Sequence, residues 1–175
     1  HIDVHLPGGL VRQYSLCNAS HESHRYRIAV LRDPASRGGS VAMHDSVHEG
    51  DVITISTPRN HFALHPAQRT LLLAGGIGVT PLLCMADRLA RTGADFALHY
   101  CTRSAERTAF AAEIAASAIA PHAHFHFDAG APEQKLDTAA VLAAPSPDKR
   151  LYVCGPAGFI DHVVTTAKTL SLIHI

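Results

Sequence analysis

The first third of the chain carries short apolar runs broken by turn signals. Ile2–Leu6, Val11–Cys17, Tyr26–Arg32 and Asp51–Ser56 read as strands, punctuated by Pro7-Gly8-Gly9, Asp33-Pro34, Gly38-Gly39 and Glu49-Gly50. In the third strand Tyr26, Ile28, Val30 and Arg32 share one face and Arg27, Ala29 and Leu31 the other, which predicts partial burial on both sides. Ser40–Val47 reads as a short helix with Ser40 as its N-cap. This spacing predicts an antiparallel barrel or sandwich, with one strand fewer than the roughly five that closing a barrel takes.

After Thr57–Arg69, a stretch with Pro58 and Pro66 that reads as a linker, the pattern alternates. Thr70–Ala74 is an apolar run. Pro81–Arg91 is helical, with Leu82, Met85, Ala86 and Leu89 on one face. Strands over Asp95–Cys101, His122–Phe127 and Leu151–Cys154 then alternate with helices over Glu106–Ala118, Asp137–Ala144 and Gly158–Leu170. Four strand–helix repeats predict a parallel α/β sheet.

Composition narrows the classes. With 175 residues the chain holds one large domain or two small ones, and 47% hydrophobic against 17% charged residues excludes disorder. Fifteen basic and fifteen acidic residues cancel, which argues against a nucleic-acid partner. No run approaches the roughly 18 apolar residues of a membrane helix. Cys17, Cys84, Cys101 and Cys154 show neither zinc, iron–sulfur nor disulfide spacing, so a reducing cytoplasm is the expected location. The chain opens at His1 rather than Met and closes on Ser171-Leu172-Ile173-His174-Ile175 without a polar tail, the pattern of a fragment.

Four segments carry candidate chemistry. In Gly75-Gly76-Ile77-Gly78-Val79-Thr80-Pro81 a buried strand runs into a glycine turn and a helix; glycines let a pyrophosphate approach the backbone, and the helix start offers free N–H groups. It is not the full dinucleotide fingerprint, and a purely structural turn is the competing reading. In Arg12-Gln13-Tyr14-Ser15-Leu16 an arginine suits a phosphate, a tyrosine ring a flat cofactor and a serine a ring nitrogen, although the same residues make an ordinary half-buried strand. Gly38-Gly39-Ser40 is an anion nest or a plain capped loop. Cys154-Gly155-Pro156 ends the last strand, at the edge where open parallel sheets bind ligands; a buried structural cysteine is the alternative.

In this order, and with Tyr100-Cys101-Thr102-Arg103-Ser104 followed by Ala109-Phe110, these segments resemble the phthalate-dioxygenase-reductase family of ferredoxin-reductase-like flavoproteins across nearly the whole chain. The resemblance implies a partial antiparallel Greek-key flavin-binding barrel over residues 1–62, lacking its first strands, and a Rossmann-like parallel-sheet NAD-binding domain over 63–172. It implies FMN held at its phosphate by Arg12 and the amides of Gly38, Gly39 and Ser40, with Tyr14 and Leu16 beside the ring and Ser15 near its N5. Gly75, Gly76, Gly78, Thr80 and Pro81 would shape the NADH site, Arg103 and Ser104 meet the adenosine half, and Cys154, Gly155 and Pro156 seat the nicotinamide. Ser15 and Cys154 would be the groups nearest the hydride. The family also implies a C-terminal [2Fe–2S] domain, absent from this sequence, and a terminal oxygenase or O-demethylase as electron acceptor. Two alternatives are a stand-alone flavin or ferredoxin reductase and a non-catalytic flavin-binding subunit. Fourteen histidines are a surplus; His122, His124 and His126 alternate along one strand and His44 and His48 lie one turn apart, but without acidic or cysteine partners they read as polar surface rather than metal ligands.

Overall fold

A computed structural model of the protein describes residues 1–143 and 148–170. The first unit is a three-stranded antiparallel sheet of β1 (Ile2–His5), β2 (Val11–Tyr14) and β3 (Thr54–Ile55), in the order β2-β1-β3. The β1–β2 turn is tight because Gly8 and Gly9 both adopt positive φ, a conformation with little steric cost for glycine alone. The register sets Ile2 opposite Tyr14 and His5 opposite Val11. Ile2, Val4 and Leu6 are buried against Tyr14, Ile28, Ile53 and the helix α1 (Gly39–Asp45). β3 returns after α1 to pair with β1, not β2.

Local assignments shift here. The Val11–Cys17 strand ends at Tyr14, and Asp51–Ser56 shrinks to two residues. Tyr26–Arg32 forms no strand, meeting the sheet only at an isolated bridge between Leu16 and Ile28. It lies at the open side of the sheet, and Tyr26 and Leu31 stay 53% and 60% exposed, so no second ladder holds it extended. α1 starts from Gly38 in the left-handed conformation; Ser40 sits inside the first turn, where its hydroxyl accepts the Asp33 N–H at 3.2 Å.

The second unit is a parallel sheet of β4 (Arg69–Gly75), β5 (Asp95–Thr102), β6 (Ala123–Phe127) and β7 (Lys149–Cys154), ordered β6-β5-β4-β7. β4 is buried on both faces, as a central parallel strand must be. Leu72, Ala74, Phe96, Leu98 and Tyr100 face α2 (Val79–Arg91) and Ile114 of α3 (Ala111–Ala115). Leu71, Leu73 and Ala97 face Leu142 of α4 (Thr138–Leu142) and Val163 and Ala167 of α5 (Ala157–Thr169). From β4 the chain winds outward to β5 and β6, then crosses back to β7 on β4's other side. The crevice at the carboxyl ends of β4 and β7 is therefore the topological switch point, where such sheets bind ligands.

Two predicted helices differ. Glu106–Ala118 breaks into a single turn at Ala105–Arg107 and the short α3. The Thr102 and Thr108 hydroxyls both donate to the Ser104 carbonyl, and Phe110 stands at φ 63°, so side-chain bonds to the backbone override the alanine-rich helical pattern. α4 is capped by Asp137, whose carboxylate accepts the Ala140 N–H; residue 144, the predicted end of that helix, lies outside the described residues, as do 171–175. The Thr57–Arg69 linker is tied at both ends: Arg59 pairs with Asp3, and the His65 N–H donates to the Tyr152 hydroxyl at 2.8 Å. No helix among the described residues is long and apolar enough to cross a membrane.

The histidines divide. His44 bonds the Val30 carbonyl, while His48 lies 3.7 Å from Asp51. His122 stacks on Phe96, apart from the other two. His124 and His126 stack on His99, whose Nδ1 is 3.0 Å from His126 Nε2. Burial, then the neighbouring His124, His126 and Arg69, push the His99 pKa from 6.5 down to about 4. The unfolded chain thus protonates this imidazole near pH 6.5 and the folded chain only near 4. Between those values the unfolded state binds more protons, and stability falls as pH falls. The expected result is a melting temperature that drops as pH is lowered from 6.5 to 4, with a shallower slope in His99→Asn; parallel pH profiles for the two proteins would contradict it.

Candidate functional site

At the switch point two turns meet backbone to backbone. β4 ends at Gly75, the chain makes one turn over Gly76–Gly78, and α2 begins at Val79, two residues before the predicted start at Pro81. Gly76 adopts φ 53°. A Cβ on Gly78 would lie 2.3 Å from the Cys154 carbonyl oxygen, and one on Gly155 would lie 3.0 Å from the Gly75 Cα. Only glycines allow the turn after β4 to seat against the turn after β7. The Thr80 hydroxyl closes the first turn by donating to the Ile77 carbonyl at 3.1 Å. Pro81 falls within the first turn, where a missing N–H costs no helical bond. α2 has neither a side-chain cap nor an acidic residue in that turn, so its positive dipole end is uncompensated.

The facing wall comes from the antiparallel sheet. The Arg12 side chain lies across Gly39, where a Cβ would sit 2.4 Å from Nε. Its guanidinium donates to the Arg37 carbonyl at 2.8 Å and to the Val11 carbonyl at 2.9 Å. These bonds hold a permanent cation beside the Gly38-Gly39-Ser40 step. Gly38, at φ 85°, turns the chain into α1. Tyr14 ends β2, and Ser15 follows it at the rim of the crevice.

Between the walls lies a cavity of about 490 Å³. Ten of the predicted residues line it: Tyr14, Ser15 and Ser40 from one unit, and Gly76, Gly78, Thr80, Pro81, Cys154, Gly155 and Pro156 from the other. Ser15, Pro81 and Cys154 also border a neighbouring groove of about 540 Å³, which takes in Leu16 and the 58–64 segment. Burial pushes the Tyr14 phenol and the Cys154 thiol up from their ordinary values, so both are uncharged at neutral pH. The crevice is thus a slot whose tyrosine, serine and cysteine are uncharged, with the Asp33 carboxylate in one wall, the Arg12 guanidinium beside Ser40 and a bare helix start opposite. Such a slot suits a flat uncharged ring flanked by phosphates.

The remaining predicted residues stand outside this cavity. Arg12, Gly38 and Gly39 lie next to Ser40 but outside the lining, and Gly75 is buried beneath Phe159. Arg103 and Ser104 stand beyond the end of β5, where the Ser104 hydroxyl bonds Glu106 and lowers that carboxylate's pKa. Sequence reasoning missed Ala29, Val30, Leu31 and Asp33, which complete the wall. Ala29, Val30 and Leu31 read as part of one more strand and Asp33 as a turn, and no spacing in the sequence marks them as a ligand wall.

No family model matches the chain. It is 58% identical over 169 residues to the vanillate O-demethylase oxidoreductase of Pseudomonas putida, covering 96% of this chain and 53% of the relative. Among solved structures it matches phthalate dioxygenase reductase, described as a modular structure for electron transfer from pyridine nucleotides to [2Fe–2S]. That match has a TM-score of 0.89 and 41% identity, covering 95% of this chain and 53% of the other. A further match is the flavohem-like FAD/NAD binding domain of a nitric oxide dioxygenase from Vibrio cholerae, with a TM-score of 0.81 and 29% identity, covering 97% of this chain and 77% of that one. The chain spans about half the length of the curated relatives it matches. Shared sequence, both sheets and the paired glycine turns give one conclusion: over nearly its whole length this chain is similar to about half the length of the reductases of the phthalate-dioxygenase-reductase family.

Proposed function

We propose that the chain is the FMN- and NADH-binding part of a reductase that feeds electrons from NADH to an iron–sulfur centre, and through it to an aromatic-ring oxygenase or O-demethylase in the cytoplasm. The observation that carries this reading is the single cavity lined by ten predicted residues from four separate segments. In this reading residues 1–62 bind the flavin and 63–172 the nucleotide, and the iron–sulfur centre belongs to a further domain of the family's plan. Arg12 and the amides of Gly38–Ser40 hold the FMN phosphate, and Tyr14 and Leu16 border the ring. The Ser15 hydroxyl stands at the flavin edge that receives the hydride. Gly75, Gly76, Gly78, Thr80 and Pro81 cradle the pyrophosphate at the start of α2, and Arg103 and Ser104 flank the adenosine. Cys154, Gly155 and Pro156 form the floor under the nicotinamide. A bound flavin supplies the chemistry, accepting a hydride and releasing electrons one at a time. The protein's part is to orient two rings and exclude water, and it needs no side-chain acid or base for the transfer.

An anaerobic absorption titration with FMN and then NADH tests the whole reading: flavin bands perturbed on binding and bleached by NADH are expected, and bound flavin that stays oxidised would refute it. Ser15→Ala is expected to keep FMN bound and to slow its reduction roughly two- to tenfold, the kinetic equivalent of one hydrogen bond of about 0.5–1.5 kcal/mol. Unchanged stopped-flow traces would remove Ser15 from its role. Gly78→Ala must push the two turns apart, because the new Cβ meets backbone rather than a flexible side chain. Reduction by NADH is expected to fall at least tenfold while FMN affinity holds, since the flavin wall is untouched. Gly158→Ala, whose Cβ meets open space on α5, is the control and should match the parent in both respects.

A further inference from the structure

Beyond Ser15 the chain leaves the crevice, and Cys17 and Asn18 are buried alongside Leu83, Phe110 and Glu113 of the other unit. The path of the chain is tied to Arg27. The Cys17 N–H donates to the Arg27 carbonyl at 2.9 Å, the Arg27 N–H donates to Asn18 Oδ1 at 2.9 Å, and Leu16 bridges Ile28. The Arg27 backbone is therefore fixed to residues two and three places after Ser15.

The Arg27 side chain reaches in the opposite direction, into the nucleotide-binding unit. Nη1 donates to Glu113 Oε2 at 2.6 Å and Nη2 to Oε1 at 2.8 Å, while the guanidinium carbon lies 5.2 Å from the centre of the Phe110 ring. Phe110 is the one non-glycine residue with positive φ among those described. Its carbonyl accepts the Ile114 N–H at the start of α3, and its ring packs on the core beneath α2. A left-handed phenylalanine is a costly conformation, held only where its surroundings impose it. Here it presents the ring to Arg27 and carries Glu113 one turn further along. The same loop also meets the other unit at His21, which accepts from Arg91 and stands 3.9 Å from Asp87.

We propose that Arg27 is a positioning residue for hydride transfer: the fork on Glu113 and Phe110 locks the Ser15 wall against the Pro81–Cys154 wall and so fixes the angle between flavin and nicotinamide. This rests on the flavin–nicotinamide reading of the cavity. Arg27 and Glu113 are 42% and 56% exposed, so the pair adds little to stability. A two-pronged salt bridge with a stacked ring nevertheless fixes orientation in a way a point charge cannot. Hydride transfer is the step most sensitive to orientation, since about 1 Å of misplacement costs roughly 10²-fold.

The test is stopped-flow reduction of the intact FMN-loaded protein by NADH, comparing Arg27→Gln, Arg27→Lys, Glu113→Gln and the Arg27→Gln/Glu113→Gln double variant. Each single glutamine variant is expected to lower the limiting rate about tenfold. Half-saturating NADH, FMN affinity and melting temperature should stay near the parent values. The double variant should be no slower than either single one, and Arg27→Lys should recover only part of the rate. The long-wavelength absorption of the NADH–flavin complex should weaken in step. An unchanged limiting rate, additive losses, or a loss that tracks melting temperature or FMN release would overturn the proposal. A parent protein that NADH does not reduce would instead overturn the reading of the cavity, and Arg27's role with it.

Discussion

The contact between the turn after β4 and the turn after β7 is the constraint on which the crevice depends. With Gly78 against the Cys154 carbonyl and Gly155 against Gly75, the two strand ends approach as closely as backbone permits. That approach aims the start of α2 and the Cys154-Gly155-Pro156 floor at the same volume. Leu71–Ala74 make it affordable, because a strand buried on both faces leaves the sheet no freedom to splay where its turns emerge. Sequence, packing and site are thus one argument: apolar residues set the strand, the strand sets the turn, and the turn exposes the N–H groups.

The opposite wall follows a different rule. The antiparallel sheet is small, and its ligand-facing residues depend on local ties rather than a deep core. Arg12 is held by two carbonyls and by the absence of a side chain at Gly39. Ser40 is held by the Asp33 N–H. Such a wall has little rigidity of its own, and its position relative to the parallel sheet has to come from contacts between the units. The ion pair of Arg27 with Glu113 and the Tyr152 hydroxyl bond to His65 are contacts of that kind.

The parallel unit was legible in the sequence because its signals are strong and local. A run of four apolar residues before a glycine turn has few other readings, and all four strands lie within a residue or two of their predicted bounds. The antiparallel unit was less legible. Tyr26–Arg32 alternates as a strand should, yet a strand needs a partner, and pairing is not written in one segment's own residues. The helix expected over Glu106–Ala118 failed for a different reason: two threonine hydroxyls bond the nearby Ser104 carbonyl and Phe110 turns left-handed, local alternatives to the helix that an alanine-rich pattern does not reveal. Arg27 left no trace at all, because 86 residues separate it from the carboxylate that gives it meaning.

Charge completes the picture. The groups nearest the proposed hydride path are an alcohol, a phenol and a thiol, and burial raises the pKa of the last two. None of them changes charge around neutral pH, so the field at the crevice is constant while a hydride crosses it. The imidazole most shifted by burial, His99, lies instead on the α4 and α5 side of the sheet, with His124 and His126 on the edge strand β6. Titration of His99 therefore acts on the stability of that face, and a change of pH between 6.5 and 4 loosens the sheet there while Ser15, Tyr14 and Cys154 stay uncharged.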